Sequence, residues 1–176
     1  MFKSEVYSKR REVLRAKVGS GLILLLGNRE LPMNYPANTY HFRQDSTFLY
    51  YFGLNYAGMA ALLDCESGND LLIADDIDIE DIIWMGVQPS VKDLALKAGV
   101  RDTRPVGALK ALLDEARGKG RNIHFIPPYR PDNKILLHDL LGLPFAEMKS
   151  AASVELIRAI VSMRSLKDAD EIAEIE

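Results

Sequence analysis

Cysteine is nearly missing from this sequence, Cys65 being the only one. A single thiol closes no internal disulfide and builds no thiolate metal cluster, and such usage fits a reducing compartment. Long apolar runs are missing too. The longest, Leu22–Leu26, falls far short of the ~20 residues that a membrane-spanning helix needs. The first residues, Met1-Phe2-Lys3-Ser4-Glu5, are charged where a secretory leader would be apolar. A cytoplasmic protein with no membrane partner is therefore the expectation. Charge of one sign is also scarce. Lys and Arg number 22 against 25 Asp and Glu, and a net charge of −3 gives no basic face for nucleic acid. What is present is globular: 48% hydrophobic and 27% charged residues over 176, enough for one self-sufficient core.

The usual signatures of catalysis are missing as well. Neither GxGxxG nor GxxxxGK[ST] occurs, and Gly19-Ser20-Gly21 precedes its strand instead of following one. There is no GxSxG elbow and no HExxH helix. The three histidines, His41, His124 and His138, are scattered without metal-ligand spacing, and His124 sits in an apolar stretch that suits a core histidine. The acidic run Asp75-Asp76-Ile77-Asp78-Ile79-Glu80-Asp81 could in principle hold a hard cation. It lacks the glycine and the distal glutamate of a loop site, so acids gathered near a helix start are the favoured reading. No catalytic residue and no metal ligand is assigned.

Periodicity organises the chain. Residues 3–18 read as a helix with Val6, Tyr7, Val13 and Leu14 inward. Its cations Lys9, Arg10, Arg11, Arg15 and Lys17 read as a solvated face, an anion-binding face being the less favoured alternative. Strands are expected over 22–26, 59–63, 71–74 and 122–126, the middle pair forming a hairpin around Asp64–Asp70. Helices are expected over 91–98, 106–116 and 132–141, ended by Gly99, Gly118 and Gly142. An amphipathic helix over 152–163 follows. Then Ser165 stands three residues before Asp168, close to a capping box, and a new helix opens as the sequence stops. The expectation is an α/β domain on a mixed sheet over 1–163, with 164–176 starting a linker helix into a further unit.

One segment fits neither period: Tyr40-His41-Phe42-Arg43-Gln44-Asp45-Ser46-Thr47-Phe48-Leu49-Tyr50-Tyr51-Phe52-Gly53. Asp45 or Ser46 could cap a short helix that carries Phe48, Tyr51 and Phe52 inward. Arg43 and Asp45 could pair, and Gln44 could satisfy loose backbone groups. With no nucleophile and base together, a structural network is favoured over a catalytic one.

This segment resembles the signature of the N-terminal domain of aminopeptidase P, the Xaa-Pro aminopeptidases related to creatinase and prolidase. Two further stretches fall in the family's order: Asp78–Gly86, with an acid-rich lead into Trp84-Met85-Gly86, and Met163–Ile172, similar to the junction into the catalytic domain. In that junction Leu166 replaces isoleucine, and Asp168 stands where serine is usual. The resemblance implies a creatinase N-terminal domain-like fold, with a mixed sheet of about six strands flanked by helices. It implies that this chain alone is no enzyme. Two divalent cations, commonly manganese, would belong to a catalytic domain beyond residue 176, where metal-bound hydroxide cleaves the bond before proline. Partners implied are that catalytic domain, further copies in a homo-oligomer, and a peptide with proline at its second position. Trp84 matches a tryptophan that in some members reaches a neighbouring subunit's substrate, and an ordinary core or interface tryptophan is an equal alternative. Arg43, Gln44, Asp45 and Ser46 are read as a structural motif holding the domain together near Trp84.

Three rivals stand beside this reading. One is the N-terminal domain of a prolidase-like or creatinase-like hydrolase. Another is a non-enzymatic protein-interaction module, though the long acidic tails of such relatives are absent. The third, a free-standing α/β enzyme, is disfavoured for want of any catalytic constellation.

Overall fold

The computed structural model describes residues 2–78, 83, 84 and 86–175. Helix α1 (Ser4–Val18) ends at Gly19, whose positive φ of 91° turns the chain into β1 (Leu22–Leu26). Helix α2 (Ser46–Phe52) follows a long excursion and ends on Gly53 in the left-handed region. The hairpin β2 (Ala60–Asp64) and β3 (Asp70–Ile73) forms where the two apolar runs predict it. Asp64 shapes its turn by accepting the amides of Glu66 and Ser67 at 2.9 and 3.0 Å.

Helix α3 (Val91–Lys97), strand β4 (Asp102–Arg104) and helix α4 (Leu109–Gly118) come next, with a short 3-10 turn over Val106–Ala108. Strand β5 (Ile123–His124) precedes helices α5 (Pro131–Leu141), α6 (Val154–Ser165) and α7 (Ala169–Ile175).

The strands form one mixed sheet in the order β4-β3-β2-β1-β5. β1 pairs antiparallel with β2, and β2 antiparallel with β3. The outer pairs, β1 with β5 and β3 with β4, are parallel. Both faces are covered, which is why β1 reads as an unbroken Leu-Ile-Leu-Leu-Leu run instead of an alternating one. On one face Ile23, Leu25, Ala61, Leu63 and Leu72 meet Leu14 of α1, the aromatics of α2, Leu94 of α3 and Leu156 of α6. On the other, Leu24, Leu62 and Ile73 meet Leu113 of α4 and Leu137, Leu140 and Leu141 of α5.

The sheet has five strands among the described residues, one fewer than the expected six or so. Residues 31–40 supply no sixth strand because they bond to one another. Pro32 bridges Thr39, and the amides of Met33 and Tyr40 reach the carbonyls of Asn38 and Leu31. Strand 122–126 shrinks to two residues, since beyond His124 the Phe125 carbonyl is taken by the Ser153 amide, outside any strand. β4 was invisible as an apolar run because it is the polar edge segment Asp-Thr-Arg. Gly118 lies inside α4, and Gly120, at φ 72°, makes the turn expected of it.

The largest departure is in α1. Arg10 and Arg11 are buried, against the expectation of a solvated cationic face. Arg11 is a hub: its guanidinium donates to Asp70 at 2.7 Å, the Tyr51 carbonyl at 2.8 Å and the Gly99 carbonyl at 3.1 Å. It thereby ties α1 to β3, α2 and the turn after α3. Burial pulls its pKa down while Asp70 pulls it back up, and Arg15 adds a second ion pair to the same carboxylate. The anions this helix binds are carboxylates of its own chain.

Candidate functional site

The Arg-Gln-Asp-Ser segment runs into the N-terminus of α2. Asp45 Oδ1 accepts the amides of Thr47 and Phe48 at 2.8 and 2.9 Å, so Asp45 is the cap and Ser46 the first helical residue. With the helix started there, Phe48, Tyr51 and Phe52 point into the core, fully buried. Gln44 is 1% exposed and spends its whole amide on backbone. Its Oε1 accepts from Asn28 N at 2.6 Å and Asp45 N at 2.9 Å, and its Nε2 donates to the Tyr56 carbonyl at 2.7 Å.

Arg43 and Ser46 are different: both side chains are exposed, and Arg43 makes no ion pair among the described residues. The Arg43 carbonyl accepts from Asn28 Nδ2 at 2.8 Å. Asn28, Arg43, Gln44 and Ser46 line an open depression of about 460 Å³ together with Leu31, Tyr129 and Arg130. Arg130 is held by Asp132 at 3.0 Å and by the Arg29 carbonyl at 2.9 Å. The segment is thus double-sided, with Gln44 and Asp45 inward and Arg43 and Ser46 outward.

Sequence reasoning missed the residues that make room for Gln44. Gly27 lies against it, and a Cβ there would sit 2.7 Å from the Met59 carbonyl and 3.0 Å from the Gln44 amide. Asn28 and Asn133 complete the cluster, Asn133 Nδ2 donating to the Gly27 carbonyl at 3.3 Å. A glycine ending an apolar strand and followed by asparagine was the available signal.

Trp84 is 88% exposed, and Ile83 and Val87 beside it are also exposed. Four neighbours in the acidic stretch, Ile79, Glu80, Asp81 and Ile82, and Met85 after Trp84 lie outside the described residues. Two acids of the run cap helices downstream. Asp76 accepts the Val91 amide at 2.6 Å, at the start of α3, and Asp75 accepts the Val106 amide at 2.9 Å. Among the described residues no group of three or more His, Cys, Asp or Glu could hold a metal.

At the junction, α6 continues through Ser165, and the capping box falls three residues later than expected. Asp168 Oδ1 accepts Glu171 N at 2.8 Å, and Glu171 Oε2 accepts Asp168 N at 3.2 Å. Ser165 is instead the last residue of α6, its hydroxyl turned back to donate to the Val161 carbonyl.

His124 and His138 are committed to the fold. His124 places Nε2 at 2.9 Å from the Ser20 carbonyl and Nδ1 at 2.8 Å from Ser153 Oγ. The carbonyl can only accept, so Nε2 carries the proton. His138 places Nδ1 at 2.8 Å from the Leu143 carbonyl and stacks on Phe145, while His41 is exposed. Burial, reinforced by Glu66, pushes the Cys65 thiol up to about 11, which leaves it unreactive at neutral pH.

Comparison with known proteins adds an independent line. The model of the family described as aminopeptidase P, N-terminal domain, matches residues 7–124. No curated protein matches the chain. Among solved structures, Pseudomonas aeruginosa aminopeptidase PepP superposes with a TM-score of 0.77 at 21% identity. The low-pH form of Escherichia coli aminopeptidase P gives 0.77 at 18%, and the zinc-substituted Escherichia coli enzyme in complex with product gives 0.78 at 18%. Each match covers 98% of this chain and 41% of the solved one, so the chain spans about two-fifths of those enzymes. At such identities the superpositions establish the fold.

Proposed function

The chain belongs to the aminopeptidase P N-terminal domain family, and from that premise we propose that it is the non-catalytic N-terminal domain of a metal-dependent Xaa-Pro aminopeptidase. In this reading the longer protein releases the N-terminal residue that precedes proline. Its two divalent cations, proposed to be manganese, sit in a catalytic domain beyond residue 176. This domain supports a homo-oligomer and shapes access to the active site, in the cytoplasm. The observation that carries the reading is the family match over two-thirds of the chain, joined to a fold that aligns along 98% of its length.

Trp84 is the residue proposed to meet substrate, reaching the site of a neighbouring copy. An exposed indole is costly to leave in water and is suited to a site completed by another surface. Gln44 and Asp45 are proposed to keep the α2 start rigid, leaving Arg43 and Ser46 at the surface. A prolidase-like or creatinase-like parent would differ in the catalytic half, and an interaction module would lack activity in any length.

The test is release of the first residue from an Xaa-Pro-Xaa peptide with added manganese, comparing this chain with the same gene product extended past residue 176. Cleavage by the longer protein alone supports the reading. Cleavage by the short chain overturns it, and cleavage by neither favours the interaction module.

A further inference from the structure

Helix α7 is seven residues long and buries none of them. Helices this short do not persist on their own propensity, so something other than packing of its sides must hold it. Its first turn faces Arg10 of α1. Arg10 Nη2 lies 2.8 Å from Asp168 Oδ2 and 3.7 Å from Glu171 Oε2, the same two carboxylates that cap the helix.

Arg10 is itself fixed from the other side. It is 6% exposed, its Nη1 donates to the Tyr50 carbonyl at 3.1 Å, and its guanidinium lies 4.1 Å from the centre of the Tyr50 ring. The Tyr50 hydroxyl reaches the Met163 carbonyl at 3.3 Å, in the last turns of α6. Arg10 Nε is buried without a partner, a cost offset by the bonds of both Nη atoms to the Tyr50 carbonyl and Asp168.

We propose that Arg10 is a latch that fixes the elbow between α6 and α7, so that the direction of α7 is set by α1. The two carboxylates act together: they nucleate the helix through its amides and dock that nucleus on a buried cation. Whatever follows α7 then inherits its orientation from the first helix of the domain. The inference concerns helices of this chain and is independent of the peptidase reading.

Hydrogen exchange on the 176-residue chain tests it, read at the amides of residues 172–175. Asp168→Asn keeps a capping oxygen and removes only the charge, while Arg10→Met removes the cation. Asp168→Asn is expected to lower protection of those amides about tenfold and Arg10→Met at least as much, and the double variant no further than Arg10→Met, because Arg10→Met already removes the link that Asp168→Asn cuts. Amides of β1 and β2 should keep wild-type protection in Asp168→Asn. If Arg10→Met does not fold, Asp168→Asn/Glu171→Gln decides the matter from the exposed side, with the same tenfold loss expected. Unchanged protection in these variants, or no protection of 172–175 in the wild type, overturns the latch.

Discussion

Replacing Gln44 separates what hydrogen bonding contributes at the α2 start from what packing contributes. The side chain satisfies two backbone amides and one carbonyl, at 2.6, 2.9 and 2.7 Å, from a position that is essentially dry. Each buried group left unpaired costs about 1–3 kcal/mol. In Gln44→Ala the vacated space admits a water that recovers part of this, so a loss of about 3–4 kcal/mol is expected. Gln44→Leu fills the same space with carbon and shuts the water out, and it should cost at least as much. Urea unfolding followed by circular dichroism reads the difference. With a slope of about 2 kcal/mol per molar for a chain this size, the midpoint should fall by roughly 1.5–2 M. A Leu variant clearly milder than the Ala variant would refute the reasoning, because packing and not the hydrogen-bond network would then dominate the site.

Two further outcomes follow from local geometry. Burial alone would raise the Asp64 carboxyl, but hydrogen bonds from Arg121 and from the Ser67 and Glu66 amides outweigh it and hold the group well below the usual carboxylate range. A depressed folded pKa contributes stability that is present above the unfolded value of about 4 and lost as pH falls below it. Asp64→Asn should therefore cost about 1–2 kcal/mol at pH 7 and flatten the acid limb of a melting-temperature profile below pH 4. Gly53→Ala should cost about 3 kcal/mol, from the left-handed backbone at φ 67° and from a Cβ that would overlap the hydroxyl end of the buried Tyr7 ring. Adding Tyr7→Phe should not restore stability in thermal melts, since ring carbon as well as hydroxyl occupies that space.

How far the sequence disclosed this structure depended on which force placed each residue. Where burial decided, the reading was accurate: β1 spans Leu22–Leu26 as the run predicts, and the hairpin turns at Asp64–Asp70. The Asp45 cap and the inward aromatics of α2 were legible for the same reason, local chemistry agreeing with period. β4 was not, because an edge strand of Asp-Thr-Arg buries little and is defined by its partner, not by its composition.

Arg10 and Arg11 show the harder limit. On a helical wheel Arg10 and Arg11 stand between Tyr7 and Leu14 on the face that is buried, but five cations on one helix suggest solvent and mask that spacing. What buries two of them is distant in sequence: Asp70, the carbonyls of Tyr50, Tyr51 and Gly99, and Asp168 more than 150 residues away. A guanidinium with five directed donors is the cation best able to repay its desolvation by such scattered acceptors, and lysine is poorly able to do so. Both buried positions are arginine, while Lys9 and Lys17 remain outside the core. The spacing of the two arginines from Tyr7 and Leu14 and the choice of arginine over lysine therefore carried the information together.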